Sequence, residues 1–359
     1  AGADALFTGP LPTPGIAFIT RNMRCDAGIV ISASHNPYTD NGIKIFDRNG
    51  YKLPDAVEDE IQALLERQDF VLPTGDKIGR ARRLEDSTGR YVVHIKKTFP
   101  ETLNLSGIKI ALDAANGAAY KVAPTIFSEL GAEVFVTGNQ PNGININDRC
   151  GATYPESIKK LVLETGADIG ISLDGDADRI QLITSQGDLV NGDQILGILG
   201  PSRQVDHVVG TIMTNKGLEV FLKRRGINLI RTSVGDRYIS ECMREHGYKI
   251  GGEPSGHIIV APESTTGDGL LTSLLILEQM IRRQLPLHDL TRPIDLYPQI
   301  LDSVKVKKRK PLEDWDEYNS LLSNWKKKFG DDGYIVIRYS GTESLLRIMV
   351  ESKNKELQN

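Results

Sequence analysis

DIGISLDGDADR, residues 168–179, and DAGIVISASHNP, residues 26–37, are the stretches from which the fold is read. Each opens on an aspartate, runs through a short β-branched segment and ends in a polar loop, so Ser34 and Asp176 stand at equivalent places after Asp26 and Asp168. Such a run reads as a buried strand with a loop at its carboxyl end. The echo extends upstream, where GADALFTG (2–9) resembles GAEVFVTG (131–138). Two similar α/β units with different chemistry in equivalent loops are therefore expected. Ligands of open parallel sheets sit outside the carboxyl ends of the strands, which is where both loops fall.

Outward from these stretches, strands and helices alternate. IKIALDA (108–114) and ADIGISL (167–173) are short apolar runs followed by amphipathic segments, the pattern of parallel α/β layers with helical crossovers. In PDAVEDEIQALLE, Val57, Ile61, Leu64 and Leu65 share one helical face after Pro54 and Asp55, which predicts an amphipathic helix. A third α/β unit is read from VVGTIMTN (208–215) to about Leu296. Beyond it, VKVKKRK (304–310) alternates like a solvated edge strand, Trp315 and Trp325 fall on a predicted helix, and YIVIRYSGTE closes a small α+β unit.

The chain has 359 residues, enough for about two to four domains. Its 47 acidic and 43 basic residues give a net charge of -4, which argues against a general nucleic-acid binder. Cys25, Cys150 and Cys242 lack CxxC spacing, so neither a disulfide framework nor a zinc site is indicated and a reducing cytoplasm is expected. No run approaches the length of a membrane span, and the sequence leaves room for a homodimer. The chain starts at Ala1, without Met and inside a strand-turn unit, as an internal stretch of a longer protein would.

Four loops carry chemistry. In SASHNP, Ser34 either caps a turn or, with Lys44 nearby, carries a phosphoryl group, since the developing charge needs positive partners; His35 beside it is a further catalytic candidate. In DGDADR, Asp174, Asp176 and Asp178 repel one another unless a hard cation such as Mg²⁺ or Ca²⁺ lies among them, and Arg179 follows. An EF-hand does not fit, because Arg179 stands where glycine is required and Ser185 where the bidentate glutamate belongs. GGEPSGHII brings Glu253, Ser255 and His257 between glycines, suited to a ligand with many hydroxyls or simply to a tight turn. IRYSGTESLLR offers Arg338, Ser340, Gly341, Thr342 and Arg347 as a phosphate clamp, although Ser340 to Glu343 also reads as a capping box that starts a helix. No GxxxxGK[ST] occurs, so an ATP P-loop is unsupported.

In this order, SASHNP, DGDADR, GEPSGH and RYSGTE resemble the α-D-phosphohexomutase superfamily, and DNGIKIF, LDAANGAAYKVAP, CGATYPE, VNGDQI, VGDRYI and TTGDG look most like its phosphoglucosamine mutase branch. The resemblance implies three related α/β domains with mixed sheets plus a smaller α+β C-terminal domain, heart-shaped around a central cleft. The boundaries expected are 1–104 for the phosphoserine domain, 105–203 for the metal domain, 204–296 for sugar recognition and 297–359 for the phosphate clamp. By the same resemblance Ser34 is the phosphorylated serine, Asp174, Asp176 and Asp178 hold Mg²⁺ together with a phosphoserine oxygen, and Lys44 and Arg179 flank the transferring group. Glu253 and Ser255 would recognise sugar hydroxyls, with His257 in the same loop, and Arg338, Ser340, Thr342 and Arg347 would clamp the non-reacting phosphate. Ala177, Tyr339 and Ser344 depart from the usual pattern without removing a charged or hydroxyl group, and the family's GTDGxRG start is missing. The implied reaction interconverts glucosamine 6-phosphate and glucosamine 1-phosphate through glucosamine 1,6-bisphosphate, toward UDP-N-acetylglucosamine and the cell wall. Rival readings are the same chemistry on mannose or glucose phosphates, and a non-catalytic sugar-phosphate binding protein. Lys44 would need a lowered pKa to act as a base.

Overall fold

The computed structural model describes residues 2–67, 71–340 and 344–354. In chain order, the first unit comprises β1 (Ala5–Phe7), α1 (Thr13–Asn22), β2 (Ala27–Ser32), β3 (Gly42–Asp47), α2 (Asp55–Arg67), β4 (Ala81–Arg83) and α3 (Ser87–Lys97). The second holds β5 (Lys109–Asp113), α4 (Val122–Glu129), β6 (Glu133–Thr137), α5 (Pro155–Thr165), β7 (Ile169–Leu173), β8 (Ile180–Thr184) and β9 (Leu189–Val190). Next come α6 (Gly192–Ser202), β10 (His207–Thr211), α7 (Lys216–Lys223), β11 (Asn228–Thr232), α8 (Asp236–His246), β12 (Ile250–Gly252), β13 (Ile258–Val260), α9 (Gly269–Arg283) and α10 (Leu287–Thr291). The last unit has β14 (Gln299–Lys305), α11 (Asp316–Phe329), β15 (Gly333–Tyr339) and β16 (Leu345–Ser352).

The second and third units repeat one topology. Their sheets run β6-β5-β7-β8-β9 and β11-β10-β12-β13. In each, the first strand lies between the second and third in parallel, and the fourth turns back antiparallel. In the first unit β1 pairs with β4 in parallel and β2 with β3 antiparallel. The sheets are thus mixed, as the resemblance implies, and the parallel pairing read from the apolar runs turns antiparallel at the chemically important places. All four loops singled out above join antiparallel strands: β2 to β3, β7 to β8, β12 to β13 and β15 to β16. A hairpin tip brings polar groups to a sheet end without a crossover, which an apolar run by itself does not reveal.

Burial follows the strand patterns. Every residue of β7 and β8 is buried, as suits central strands covered on both faces. The largest core cluster runs from Leu11 and Tyr91 through Ile110, Ile171 and Leu182 to Leu274 and Leu290, so the first three units share one apolar continuum. Helix ends are set locally: Asn191 and Gln194 form a capping box on α6, Asp268 caps α9 through the Leu270 and Leu271 N–H groups, and Pro155 opens α5. Tyr91 Oη on α3 donates to Asp268 Oδ2 (2.9 Å), tying the first unit to the third.

Three local expectations change. The α2 helix forms, but none of its residues is buried, because nothing among the described residues covers the Val57, Leu64 and Leu65 face. The edge strand exists at the end of the β14-β16-β15 sheet, yet it spans Gln299–Lys305 and stops before Lys307. Trp315 caps α11 from outside, while Trp325 lies on it and stacks on Phe329 with ring centroids 5.4 Å apart. Among the described residues no helix is long and apolar enough to cross a membrane.

Candidate active site

Ser34 follows β2 in a left-handed turn, with φ +52°. Its N–H donates to Ser32 Oγ (2.9 Å). Its carbonyl accepts from the Gly175 N–H (3.1 Å) and from Asn147 Nδ2 (2.8 Å), and the same Asn147 amide reaches the Asn36 carbonyl (2.8 Å). Residues of the second unit therefore fix the serine backbone. Ser34 Oγ comes to lie 3.5 Å from Asp174 Oδ2 and 3.4 Å from Lys44 Nζ.

The three aspartates of the β7–β8 tip are buried, and their ligand oxygens lie within 4.8 Å of one another. Lys44, brought across by β3, places Nζ 2.6 Å from Asp176 Oδ2 and 2.6 Å from Asp178 Oδ2. Thr13, at the start of α1, donates its hydroxyl to Asp176 Oδ2 (2.5 Å) and its N–H to the Asp176 carbonyl (2.9 Å). Burial, then Asp178 and Asp176, push the Asp174 carboxyl well above the usual carboxylate range. Burial alone would raise Asp178 too, but Lys44 and His257 outweigh it and hold Asp178 well below that range. Asp176 Oδ1 and Asp178 Oδ1 are buried without hydrogen-bond partners among the described residues. Three hard oxygen donors, two of them with unsatisfied atoms, against a single ammonium make a set that fits a divalent cation.

Burial would lower the Lys44 pKa, but Asp178 and Asp176 more than compensate and raise it. The His35 pKa is lowered, by burial first and then by Arg179, and its Nδ1 is buried without a partner among the described residues.

The GGEPSGH loop is bonded directly to the aspartate hairpin. Gln181 Nε2 on β8 donates to the Ser255 carbonyl (3.1 Å), and the Ile180 N–H donates to the Gly256 carbonyl (3.1 Å). Gly256 has φ +92°, and a Cβ there would strike the Ile180 backbone, so only glycine allows this approach. Glu253 accepts from the Gly235 N–H at Oε1 (3.2 Å) and from Ser255 Oγ at Oε2 (3.3 Å). His257 is buried. The Gly267 N–H donates to its Nε2 (3.0 Å), leaving the neutral ring with a hydrogen on Nδ1, 3.6 Å from Asp178 Oδ1. Burial opposes charging the ring, while Asp178, Asp236 and Glu253 raise its pKa. The ring thus lies between the Gly267 N–H and the Asp178 carboxylate.

In the fourth loop, Arg338 on β15 stands directly opposite Arg347 on β16. Like charges at facing positions repel unless an anion lies between them. Burial, then Arg347, lower the Arg338 pKa, and Arg338 Nε is buried without a partner among the described residues. Ser340 is buried and its N–H donates to the Leu345 carbonyl (2.8 Å). Gly341 and Thr342 lie outside the described residues. The chain after Ser344 is the strand β16, so the capped-helix reading of Ser340 to Glu343 fails. The hairpin is anchored at its other end, where Glu351 Oε2 accepts the Lys216 N–H (2.8 Å) and Arg231 lies over the Tyr334 ring at 4.4 Å.

Thr13, Asn147 and Gln181 were not anticipated from the sequence. Thr13 sits in a proline-rich turn and Asn147 in an Asn-rich loop, and neither spacing signals a contact with residues far along the chain.

Family models described as phosphoglucomutase/phosphomannomutase alpha/beta/alpha domains I, II and III and C-terminal domain match residues 1–72, 89–187, 191–297 and 303–359. The chain is 48% identical over 364 residues to the phosphoglucosamine mutase of Nitratidesulfovibrio vulgaris (strain DP4), covering 99% of this chain and 81% of that protein. It is 49% identical over 362 residues to that of Syntrophotalea carbinolica, with 99% and 79% covered. A phosphoglucomutase/phosphomannomutase family protein from Burkholderia thailandensis superposes with TM-score 0.79 at 22% identity over 98% of this chain and 80% of that one. Aspergillus fumigatus N-acetylphosphoglucosamine mutase, in complex with GlcNAc-6P and magnesium, gives 0.70 at 16% over 96% and 90%. At these identities the two structures establish the fold.

Proposed function

The chain belongs to the phosphoglucomutase/phosphomannomutase family, the α-D-phosphohexomutases, and on that premise we propose that it interconverts glucosamine 6-phosphate and glucosamine 1-phosphate through a phosphoserine at Ser34. The observation that carries this reading is Ser34 Oγ, 3.5 Å from Asp174 and 3.4 Å from Lys44, at the mouth of a buried triad of aspartates. A pure binding protein would have no use for a phosphorylatable hydroxyl placed there.

The substrate 1-hydroxyl attacks the phosphorus of phospho-Ser34. A new bond from the sugar oxygen to phosphorus forms as the Ser34 Oγ–P bond breaks, the proton of the 1-hydroxyl ends on the departing Ser34 Oγ, and glucosamine 1,6-bisphosphate results. In the return step the Ser34 proton ends on the 6-oxygen in the same way. After the intermediate turns around, Ser34 Oγ takes the 6-phosphoryl group and glucosamine 1-phosphate leaves, a precursor of UDP-N-acetylglucosamine. Lys44 stays cationic and, with Arg179, offsets charge on the phosphoryl oxygens. Asp174, Asp176 and Asp178 would hold Mg²⁺, which supplies further charge neutralisation and orients a phosphoryl oxygen. Asn147 and Gly175 keep the Ser34 backbone fixed while the phosphate changes hands. Glu253 and Ser255 orient the sugar, and Arg338 with Arg347 holds the phosphate that is not reacting.

A coupled assay for glucosamine 1-phosphate, with Mg²⁺ and a bisphosphate primer, tests this in the full-length protein and its Ser34→Ala variant. Activity should fall by about a thousandfold or more in the variant. A variant that turns over like the parent would reject the phosphoserine.

A further inference from the structure

An amino sugar differs from glucose by a cationic nitrogen at C2, and the side chain that rewards this difference is a carboxylate with a free oxygen. The three aspartates of the metal hairpin face Lys44 and one another. Both oxygens of Glu253 are engaged, by the Gly235 N–H and Ser255 Oγ. Asp236 remains, one residue after the N–H that holds Glu253 and at the first position of α8. Its only ion pair among the described residues is a loose one, Oδ1 to Lys52 Nζ at 3.5 Å, with the side chain 29% exposed. Among the described residues Oδ2 has no hydrogen-bond partner. The adjacent Arg237 is neutralised elsewhere, by Asp55 and Glu241. Because its chain neighbour Gly235 donates to Glu253 Oε1 (3.2 Å), Asp236 stands beside the Glu253 loop.

We propose that Asp236 is the specificity-determining residue for the amino sugar: its carboxylate receives the C2 ammonium of glucosamine phosphate, which displaces the ammonium of Lys52. The inference rests on the glucosamine reading above. A carboxylate that served only the α8 terminus or Lys52 would be blind to the sugar.

The test compares kcat/KM for glucosamine 6-phosphate and glucose 6-phosphate in the full-length protein, Asp236→Asn and Lys52→Gln. A charge-assisted bond exchanged for a neutral one lowers the glucosamine-to-glucose ratio by about tenfold or more in Asp236→Asn. In Lys52→Gln, which leaves the carboxylate unpaired, the ratio should hold or rise. An unchanged ratio in a folded Asp236→Asn protein overturns the inference. So does a lower ratio in Lys52→Gln, which decides the matter if the asparagine variant does not fold. A parent protein inactive on glucosamine 6-phosphate but active on glucose 6-phosphate would instead overturn the sugar assignment, and this inference with it.

Discussion

The hairpins β2–β3 and β7–β8 read alike in sequence, meet at one reacting centre and are built differently. In β7–β8 every residue is buried, and the aspartates project from a scaffold packed on both faces. In β2–β3 only one face is covered. Val30 and Phe46 point inward, while Ile29, Ile31 and Ile43 point outward, with Ile31 74% exposed. Register pairs Ile29 with Ile45 and Ile31 with Ile43, so this outer face is a short aliphatic ladder. The difference teaches where rigidity comes from. Three like charges must be held together by dense packing, whereas Ser34 borrows its placement from the partner hairpin, through Gly175 and Asn147.

The largest effect should separate the two scaffolds directly. Ile171→Ala on β7 removes a fully buried side chain from the main core and should cost about 2–5 kcal/mol. Ile31→Ala on β2 should stay within about 0.5 kcal/mol in the 359-residue chain. Urea unfolding of both variants checks this, and equal losses would break the contrast.

A second test concerns how the first unit is tied to the rest. Burial pushes the Asp268 carboxyl, partner of Tyr91, up to about 6. A carboxyl raised above its unfolded value, about 3.9, favours the folded state most below that value. Its contribution, at most about 3 kcal/mol, is lost as the pH rises through about 6. Asp268→Asn should flatten the stability profile between pH 4 and 7 by roughly that amount. A slope identical to the parent's would show that the tie is not titrating.

Borrowed placement of Ser34 is tested by Asn147→Asp. The substitution keeps the shape and tolerance of a left-handed φ of +58° but turns a donor into an acceptor facing two carbonyls. Turnover should fall about ten- to a hundredfold with KM little changed and the melting temperature nearly unmoved. A parallel loss in stability and activity would make Asn147 a general support. Smallest is Ala177→Gly. Ala177 occupies φ +56°, so glycine relieves backbone strain of about 1 kcal/mol while deleting one buried methyl of similar worth. The net change should lie within about 1 kcal/mol by thermal unfolding.

Much of the site was legible because its chemistry resides in residue types clustered along the chain. Asp174, Asp176 and Asp178 fall at alternate positions after an apolar strand, and one tight tip gathers them around a common point. Lys44 was legible as a cation near Ser34, but its ion pairs with Asp176 and Asp178, and hence its raised pKa, depend on residues more than a hundred positions away. The setting of His257, between the Gly267 N–H and Asp178, was not legible, because neither residue belongs to its own loop.

By itself the sequence determined the alternation of strands and helices, the echo between the first two units and the four polar loops, since periodicity and loop chemistry are local properties of the chain. Tertiary structure alone decided that the loops are hairpin tips, that β7 is sealed while β2 shows an open face, and that Thr13 and Asn147 reach across to the aspartate and serine loops. Those outcomes depend on which surfaces meet, and a side chain's partner across the fold leaves no spacing signature in a single sequence.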